Sequence, residues 1–160
     1  LSFVDVRRFG KWKLNHSWSK NRGPCPLVDS DSFIANIMDN LHKKIFEKPL
    51  FEILMNQQYF NGIGNYLRAE IMYRLPHINP FQPARQVIEN NPEIIDMCRD
   101  IPLKAYEYNG GQLSDWKNPY DTDFTSFKEW VYYQKGNSCK DKTGRTFWYH
   151  PKWEENNPYN

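Results

Sequence analysis

The fold is decided by one stretch of the sequence, NQQYFNGIGNYLRAE, at residues 56–70. From its middle onwards, apolar side chains recur at helical spacing, at Ile63, Tyr66, Leu67, Ile71 and Leu75. This spacing predicts a helix with one buried face. Glu70 and Arg74 lie four residues apart, where an acidic and a basic side chain can pair on a helix surface. The stretch therefore predicts a turn that opens into an amphipathic helix.

The two glycines of this turn suggest an anion-binding site. Gly62 and Gly64 leave the backbone open to a close approach. The amide groups and the dipole at the start of a helix attract anions such as phosphate, and Asn65 would add a side-chain N–H group. A tight turn in which the glycines only supply backbone angles explains the same pattern equally well.

Helical patterns continue on both sides of this stretch. Upstream, Ser30 or Asp31 is predicted to cap a helix, and Pro49 to begin a short one. Proline residues divide the region downstream, where helices are predicted over residues 94–99, 102–108 and 124–133. Residues 109–119 lack periodicity and predict an exposed loop.

The two ends of the sequence change to the period of β-strands. Residues 1–9 alternate apolar and polar side chains and predict a strand that ends at Gly10. Near the other end, residues 139–141 and 146–149 predict a hairpin across an intervening turn. Since one strand alone cannot satisfy its backbone, we expect the first strand to complete a sheet built from sequence before Leu1.

Composition and charge exclude some classes of protein. The 160-residue chain has a net charge of +2, which is too small to establish a polyanionic partner by itself. Its three cysteines form no CxxC pair, which excludes a disulfide framework and a four-cysteine zinc site. The sequence has no secretory signal and no apolar run of membrane-spanning length. We expect an intracellular protein with no membrane partner.

Three segments together resemble one family of DNA-repair enzymes. Residues 56–70 closely resemble the helix–two-turns–helix motif of the formamidopyrimidine-DNA glycosylase and endonuclease VIII family. Asp5-Val6-Arg7-Arg8-Phe9-Gly10 resembles an N-terminal motif of that family, and Gly144-Arg145-Thr146-Phe147 resembles the arginine-bearing turn of its C-terminal finger. The segments follow the family's order, and the resemblance is greatest to the endonuclease VIII-like branch.

The resemblance implies a mainly α fold with a C-terminal β-hairpin finger, preceded by the last strand of a missing N-terminal β-sandwich. The expected parts are the sandwich strand at residues 1–20, a linker at 21–29, a helix–two-turns–helix DNA-binding domain at 30–134 and the finger at 135–160.

The resemblance also implies a reaction. In the family, an N-terminal proline amine attacks C1′ of the damaged nucleotide and forms a Schiff base, assisted by an adjacent glutamate. Leu1 has no glutamate beside it, so we expect the nucleophile to be absent and the chain alone to be inactive. The intact protein would be a DNA glycosylase and AP lyase that flips out oxidised bases, mainly pyrimidines. Its expected partners are damaged DNA and its own N-terminal domain, in the nucleus or nucleoid, as a monomer.

Site residues follow from the same resemblance. Gly64, Asn65 and Arg145 would bind phosphates, since arginine spans two phosphate oxygens with its planar fork. Arg7 and Phe9 would fill the void left by the flipped base. Gly110, Gly111 and Gln112 would belong to a loop that covers the lesion. Glu70 matches a family carboxylate near the active site.

Ordinary structural roles remain open for these residues. Without the resemblance, Phe9 would be a core side chain, Arg145 a solvated turn residue within a basic tail, and Glu70 the partner of Arg74. The loop around Gly110 would be a mobile connection.

The finger is predicted to bind no metal, and no cofactor is expected. In the zinc-bearing relatives four ligands hold the finger, whereas here only Cys139 and His150 keep ligand chemistry at the matching positions. Structural zinc needs four nitrogen or sulfur ligands. We therefore expect packing of Phe147, Trp148 and Trp153 to hold the hairpin.

Two other functions fit parts of the sequence. Helix–two-turns–helix units also occur in non-catalytic nucleic-acid-binding modules, although the presence of Arg7 and Phe9 argues against that interpretation. A helical protein-interaction domain with no nucleic-acid role is the other alternative, and its binding would lack the steep salt dependence of phosphate contacts.

Overall fold

The computed structural model describes residues 21–107 and 137–159. These residues form helices α1 (Ser30–Met38), α2 (Leu50–Ile53), α3 (Asn65–Arg74), α4 (Ala84–Asn90) and α5 (Glu93–Glu107), and strands β1 (Asn137–Lys140) and β2 (Thr146–Tyr149). Two 3₁₀ helices cover Lys44–Glu47 and Pro151–Asn156. The expected mainly α fold with a terminal hairpin is confirmed.

Three predicted elements lie outside the described residues: the strand at 1–9, the loop at 109–119 and the helix at 124–133. The four domain boundaries stay predictions. Within the described ranges, no helix combines the length and the apolar character needed to cross a membrane.

Helix α3 lies at the centre of the described part. It packs against α5 on one side and against β2 on another. Of the predicted apolar face, Ile63, Leu67, Ile71 and Leu75 are buried and Tyr66 is half-buried. The same core contains fully buried side chains from the other elements, among them Phe33, Ile37, Phe46, Leu50, Phe51, Leu54, Phe60 and Phe147. Burial of each large apolar side chain contributes about 1.5–3 kcal/mol, so this core dominates the folding energy.

The cap of helix α1 differs from the prediction. Asp29 caps the helix, and its Oδ1 accepts a hydrogen bond from the Ser32 amide at 3.1 Å. Ser30 already belongs to the helix, so the prediction that Ser30 or Asp31 caps it is wrong. All three are good cap residues, and only the backbone path decides which one binds the free amides.

Helix α5 continues through Pro102, where the sequence predicts two shorter helices. An internal proline removes a hydrogen bond and costs about 3 kcal/mol. One apolar face offsets that cost, because Ile94, Cys98, Ile101 and Ala105 are all buried at helical spacing. The tertiary burial therefore outweighs the local preference of the proline.

Helix α4 occupies a segment that the sequence predicts as a connection. Its Arg85 joins it to the preceding elements: Nε donates to the Leu41 carbonyl and Nη2 to the His42 carbonyl, both at 2.7 Å. Nη1 also pairs with Glu47 at 2.9 Å. The two carbonyls lie more than 40 residues away in sequence, so local patterns do not reveal these contacts.

The C-terminal hairpin is confirmed. Strands β1 and β2 pair antiparallel, from Asn137 opposite Tyr149 to Lys140 opposite Thr146. Phe147 is fully buried, and its ring stacks on Phe51 with centroids 4.8 Å apart. The hairpin thus lies against α2 and α3 and shares their core.

The side chains that hold this hairpin differ in part from the prediction. Strand side chains alternate, so Phe147 and Tyr149 both face the core. Trp148 points to the other face and is half-buried, so it does not belong to this core, and its packing role stays a prediction. Trp153 packs partly against the core, as expected.

The segment predicted as a linker is attached to the loop before α3. The Gly23 amide donates to the Gln57 carbonyl at 3.0 Å, and the Gly23 carbonyl accepts from Asn61 Nδ2 at 2.7 Å. Asn36 Nδ2 of α1 donates to the Gln58 carbonyl at 2.8 Å beside them. Gly23 is needed here for space, since a Cβ at this position would lie 2.1 Å from the Gln58 oxygen.

We predict that Gly23→Ala destabilises the chain by about 3 kcal/mol, because the methyl group meets backbone that cannot move freely. Urea unfolding of the 160-residue chain, followed by circular dichroism, measures the change. Gly64→Ala is the matched control, since a Cβ there meets nothing within 4 Å among the described residues. It should lower the free energy of unfolding by no more than about 1 kcal/mol, because alanine is a poorer N-cap than glycine. Equal midpoints for the wild type and Gly23→Ala would contradict the attachment of the linker.

Candidate nucleic-acid interface

The two glycines before α3 have different roles. Gly62 has φ of +88°, in the left-handed region that favours glycine, and its amide donates to Gln57 Oε1 at 3.0 Å. Gly64 is the N-cap of α3, with extended backbone, and no side chain caps the helix there. Backbone angles therefore explain Gly62, but they do not explain Gly64. The absence of a side chain at Gly64 leaves the start of α3 open to an approaching group.

Asn65 joins the start of α3 to the hairpin. Its Nδ2 donates to the Thr146 carbonyl at 3.0 Å, across 81 residues of sequence. An amide nitrogen carries two hydrogens, and the described residues provide a partner for one of them. Asn65 therefore lies beside the residue that follows Arg145 in the chain.

Arg145 lies at the end of the hairpin turn, with its side chain exposed. Its backbone is bound on both sides to Asp141: the Arg145 amide donates to Asp141 Oδ1 at 3.0 Å, and the Arg145 carbonyl accepts from the Asp141 amide at 2.9 Å. Gly144 has φ of +79°, which allows the tight reversal. The Arg145 guanidinium forms no ion pair with the described residues.

Arg68 is the most completely buried charged side chain of the described part, with 0% exposure. Its Nη1 donates to the Phe51 carbonyl at 3.1 Å and to Asp141 Oδ2 at 3.0 Å. Its Nη2 donates to Asn65 Oδ1. The guanidinium carbon lies 5.0 Å from the centre of the Phe147 ring, close enough for a cation–π contact. One side chain thus contacts α2, α3 and both the turn and the second strand of the hairpin.

Asp141 receives hydrogen bonds on both carboxylate oxygens. Burial alone would raise its pKa, but bonds from the Thr143 hydroxyl, from the Arg145 and Thr143 amides and from Arg68 lower the pKa to about 2. The carboxylate therefore stays ionised at every pH well above 2. Burial lowers the pKa of Arg68, and the bond and charge of Asp141 oppose that effect.

Further side-chain hydrogen bonds and one ion pair hold the finger on the side of its C-terminal tail. The Tyr159 hydroxyl donates to Glu52 Oε1 on α2, and Lys142 Nζ pairs with the same oxygen at 3.2 Å. Tyr149 donates to Glu154 Oε2 at 2.6 Å within the tail. These bonds hold the hairpin by side-chain contacts, in addition to the packing of Phe147.

The two possible metal ligands of the finger make other contacts. Cys139 is half-buried, and burial raises the pKa of its thiol to about 11, so it is protonated at neutral pH. His150 Nδ1 accepts from the Lys152 amide at 3.3 Å. Across residues 21–107 and 137–159 there is no cluster of three or more metal-ligating side chains. A finger without metal stays a prediction, which metal analysis of the purified chain would test.

Glu70 is buried in α3, and its Oε1 accepts from Arg74 Nε at 2.9 Å, which confirms the pairing predicted from their spacing. Its other oxygen, Oε2, has no hydrogen-bond partner among the described residues. Burial raises the pKa of this carboxyl to about 7, although Arg74 acts in the opposite direction. A carboxyl with such a pKa can exchange a proton near neutral pH.

Comparisons with known proteins agree with this arrangement. Human "Endonuclease 8-like 1" is 38% identical over an alignment of 173 positions, gaps included, which covers 93% of this chain and 44% of the human protein. "Formamidopyrimidine-DNA glycosylase" of Zymomonas mobilis is 28% identical, covering 88% of this chain and 54% of that protein. The crystal structure of the MutM (Fpg) protein from Thermus thermophilus superposes with a TM-score of 0.64 and 25% identity, over 86% of this chain and 55% of that one. No family model matches the chain.

The chain belongs to the formamidopyrimidine-DNA glycosylase and endonuclease VIII family. It corresponds to the C-terminal part of such DNA-repair glycosylases. It spans 44% of the human relative and 54% of the bacterial one, about half of each.

The residues that the family resemblance singles out fall into two groups. Arg7 and Phe9, and the loop positions Gly110, Gly111 and Gln112, lie outside the described residues. Among the described ones, Gly64, Asn65 and Arg145 lie around a single junction between α3 and the hairpin, whereas Glu70 lies further along α3, paired with Arg74.

Sequence reasoning missed Arg68 and Asp141, the residues that hold this junction together. One signal was present: Arg68 lies between the apolar Leu67 and the small Ala69 on a helix whose neighbours are buried. A second was the Asp-Lys-Thr-Gly turn, in which an aspartate commonly accepts hydrogen bonds from the amides that follow. Neither signal indicates that the two side chains would pair.

We predict a pH-dependent difference in stability between the wild type and Glu70→Gln. Because burial raises the folded-state pKa from 4.5 to about 7, the carboxyl contributes stability below pH 4.5 and loses that contribution as the pH rises through 7. From pH 5 to pH 8 the variant should gain up to roughly 3 kcal/mol relative to the wild type, at about 1.4 kcal/mol per unit of pKa. Urea unfolding at both pH values measures the gain. A constant difference would show that Glu70 titrates normally.

Proposed function

We propose that this chain provides the DNA-binding surface of a base-excision glycosylase, and that Gly64, Asn65 and Arg145 bind phosphates on either side of the damaged nucleotide. The hydrogen bond from Asn65 Nδ2 to the Thr146 carbonyl carries the proposal. It holds an open helix start next to the segment that carries an exposed arginine, which has no ion-pair partner among the described residues.

The chemistry of base excision explains why such a surface is needed. A glycosylase must rotate its target base out of the duplex, which costs a few kcal/mol of stacking and pairing. Phosphate contacts can offset that cost because they hold the distorted backbone on both sides of the lesion. Amide groups at a helix start and an arginine fork both suit phosphate oxygens.

The charges of the finger support the same function. Lys140, Lys142 and Lys152 of the finger are exposed, as Arg145 is. Lys142 is partly neutralised by Glu52, whereas Arg145 has no acidic partner among the described residues. The finger therefore presents a basic edge although the net charge of the chain is only +2.

The finer assignments of the reaction rest on the resemblance. The proposed activity is removal of oxidised bases, mainly pyrimidines, followed by β,δ-elimination at the abasic site through a Schiff base on a proline amine outside these 160 residues. Arg7 and Phe9 would fill the space of the flipped base, residues 110–112 would cover the lesion, and Glu70 would lie toward the active site. The partner would be damaged DNA, in the nucleus or nucleoid.

We predict that Arg145→Ala weakens DNA binding and lowers its salt dependence. Each neutralised phosphate contributes about 0.9 to the slope of log affinity against log salt concentration. The slope for the variant should therefore fall by about 0.9, measured by fluorescence anisotropy with a duplex that contains a stable abasic-site analogue.

Arg99→Ala is the control for Arg145→Ala, because it removes the same charge from α5, where Arg99 pairs with Asp100. Its slope should match that of the wild type. If Arg145→Ala leaves both affinity and slope unchanged, the phosphate contact does not exist, and a role in protein interaction gains support.

We predict that Gly64→Ala weakens DNA binding while leaving the fold intact. A Cβ at Gly64 meets nothing within 4 Å among the described residues, so the methyl group would occupy only the space that a phosphate approaches. Affinity for the abasic-site duplex should fall about tenfold, the equivalent of a lost contact worth about 1.4 kcal/mol. Unchanged affinity would favour the alternative in which the glycine turn is purely structural.

A further inference from the structure

A buried ion pair connects the two halves of the proposed phosphate clamp. Arg68 donates to Asn65 Oδ1 with one end of its guanidinium and to Asp141 Oδ2 with the other. Asn65 is the first residue of α3, and Asp141 begins the hairpin turn. The planar guanidinium therefore sets the distance between the helix start and the turn.

Asp141 transmits this position to Arg145. Its Oδ2 faces Arg68, while its Oδ1 accepts from the Thr143 amide at 2.9 Å, the Thr143 hydroxyl at 2.7 Å and the Arg145 amide at 3.0 Å. A shift of the carboxylate would move all three donors of the turn with it. The direction of the Arg145 side chain thus depends on where Arg68 holds Asp141.

Stability alone does not account for this arrangement. Desolvating an arginine and a carboxylate costs several kcal/mol, and apolar side chains of similar volume often stabilise a core as well or better. Arg68 Nε also has no partner in the described ranges, which adds to the cost. Apolar side chains would fill the space but would not fix the relative orientation of two backbone segments.

We propose that Arg68 and Asp141 are positioning residues, which join the start of α3 and Arg145 into one phosphate-binding unit. The proposal rests on the proposed function, because it concerns the geometry of that same clamp. Arg68 and Asp141 contact no phosphate themselves. They act through Asn65 and Arg145, so that the two phosphate contacts form together.

Asp141→Asn separates positioning from folding of the turn. The asparagine Oδ1 can still accept from the amides of Thr143 and Arg145, as asparagine does in such turns. Its Nδ2 would face the guanidinium of Arg68, however, where two donors cannot pair. The turn should keep its local bonds while its connection to α3 is lost.

The experiment measures the salt dependence of binding to the abasic-site duplex for the 160-residue chain, well below the melting temperature of each variant. For Asp141→Asn we expect the slope to fall by about 0.9, as far as for Arg145→Ala. The double variant Asp141→Asn/Arg145→Ala should bind no more weakly than Arg145→Ala alone, because both changes remove the same contact. Arg68→Lys should lower the slope as well, since an ammonium group lacks the planar fork that reaches both partners.

Arg85→Met is the matched control for Arg68→Met. Like Arg68, Arg85 bonds to distant backbone and pairs with a carboxylate, but its partners are the Leu41 and His42 carbonyls and Glu47, away from the hairpin. Both variants should lower the melting temperature, and only Arg68→Met should lower the slope.

The outcomes separate this proposal from the function on which it rests. If Arg145→Ala lowers the slope and Asp141→Asn does not, or if their effects on affinity add, the ion pair is only structural and the positioning role is wrong. If Arg145→Ala itself has no effect, the phosphate clamp is wrong and the positioning role falls with it.

Discussion

The guanidinium of Arg68 is the contact on which the arrangement of the described part depends. It is fully buried, it carries a charge, and its partners belong to three separate segments: Phe51 of α2, Asn65 of α3 and Asp141 of the hairpin turn. A buried charge without a partner is strongly destabilising, by about 3–5 kcal/mol when a carboxylate is removed. Helix α3 can therefore pack as it does only when the hairpin is in place. The hairpin is therefore part of the helical core, although it is called a finger.

The hairpin in turn depends on the helices for its own stability. Two strands of four residues each bury too little surface to be stable in water alone. Phe147 and Tyr149 place their rings against Phe51 and Phe81, so that one aromatic cluster extends across both parts. Apolar burial provides most of the energy of this contact, and it is not directional. The ion pair and the hydrogen bond from Asn65 provide the direction, because they are satisfied in only one relative orientation.

Local patterns were sufficient for part of this structure. Helix α3, the pair of Glu70 with Arg74 and the hairpin around Gly144 each depend on residues close in sequence, and all three were predicted. The continuity of α5 through Pro102 was not, because burial against distant segments outweighs the local preference of proline. The presence of α4 was not either, because Arg85 joins it to carbonyls more than 40 residues away. The resemblance selected Asn65 and Arg145 separately. Their proximity depends on a bond across 81 residues and on the unpredicted pair of Arg68 with Asp141, so no spacing rule could have given it.

Helix α3 carries a second buried ionisable side chain, Glu70. Two residues along an α-helix correspond to a rotation of about 200° about its axis, so their side chains point to nearly opposite sides. Arg68 therefore faces the hairpin while Glu70 points to the other side, where Arg74 covers one of its oxygens. An ordinary core helix needs one apolar face, and α3 adds a buried polar group on each side of it. The Glu70–Arg74 pair lies within α3 and moves with it, but α3 cannot rotate or slide by one residue without separating Arg68 from Asp141 and from the Phe51 carbonyl. Since the same helix begins at Gly64, the rotation of α3 also decides which way its open amide groups point. The polar contacts that limit this rotation therefore set the direction of the proposed phosphate site.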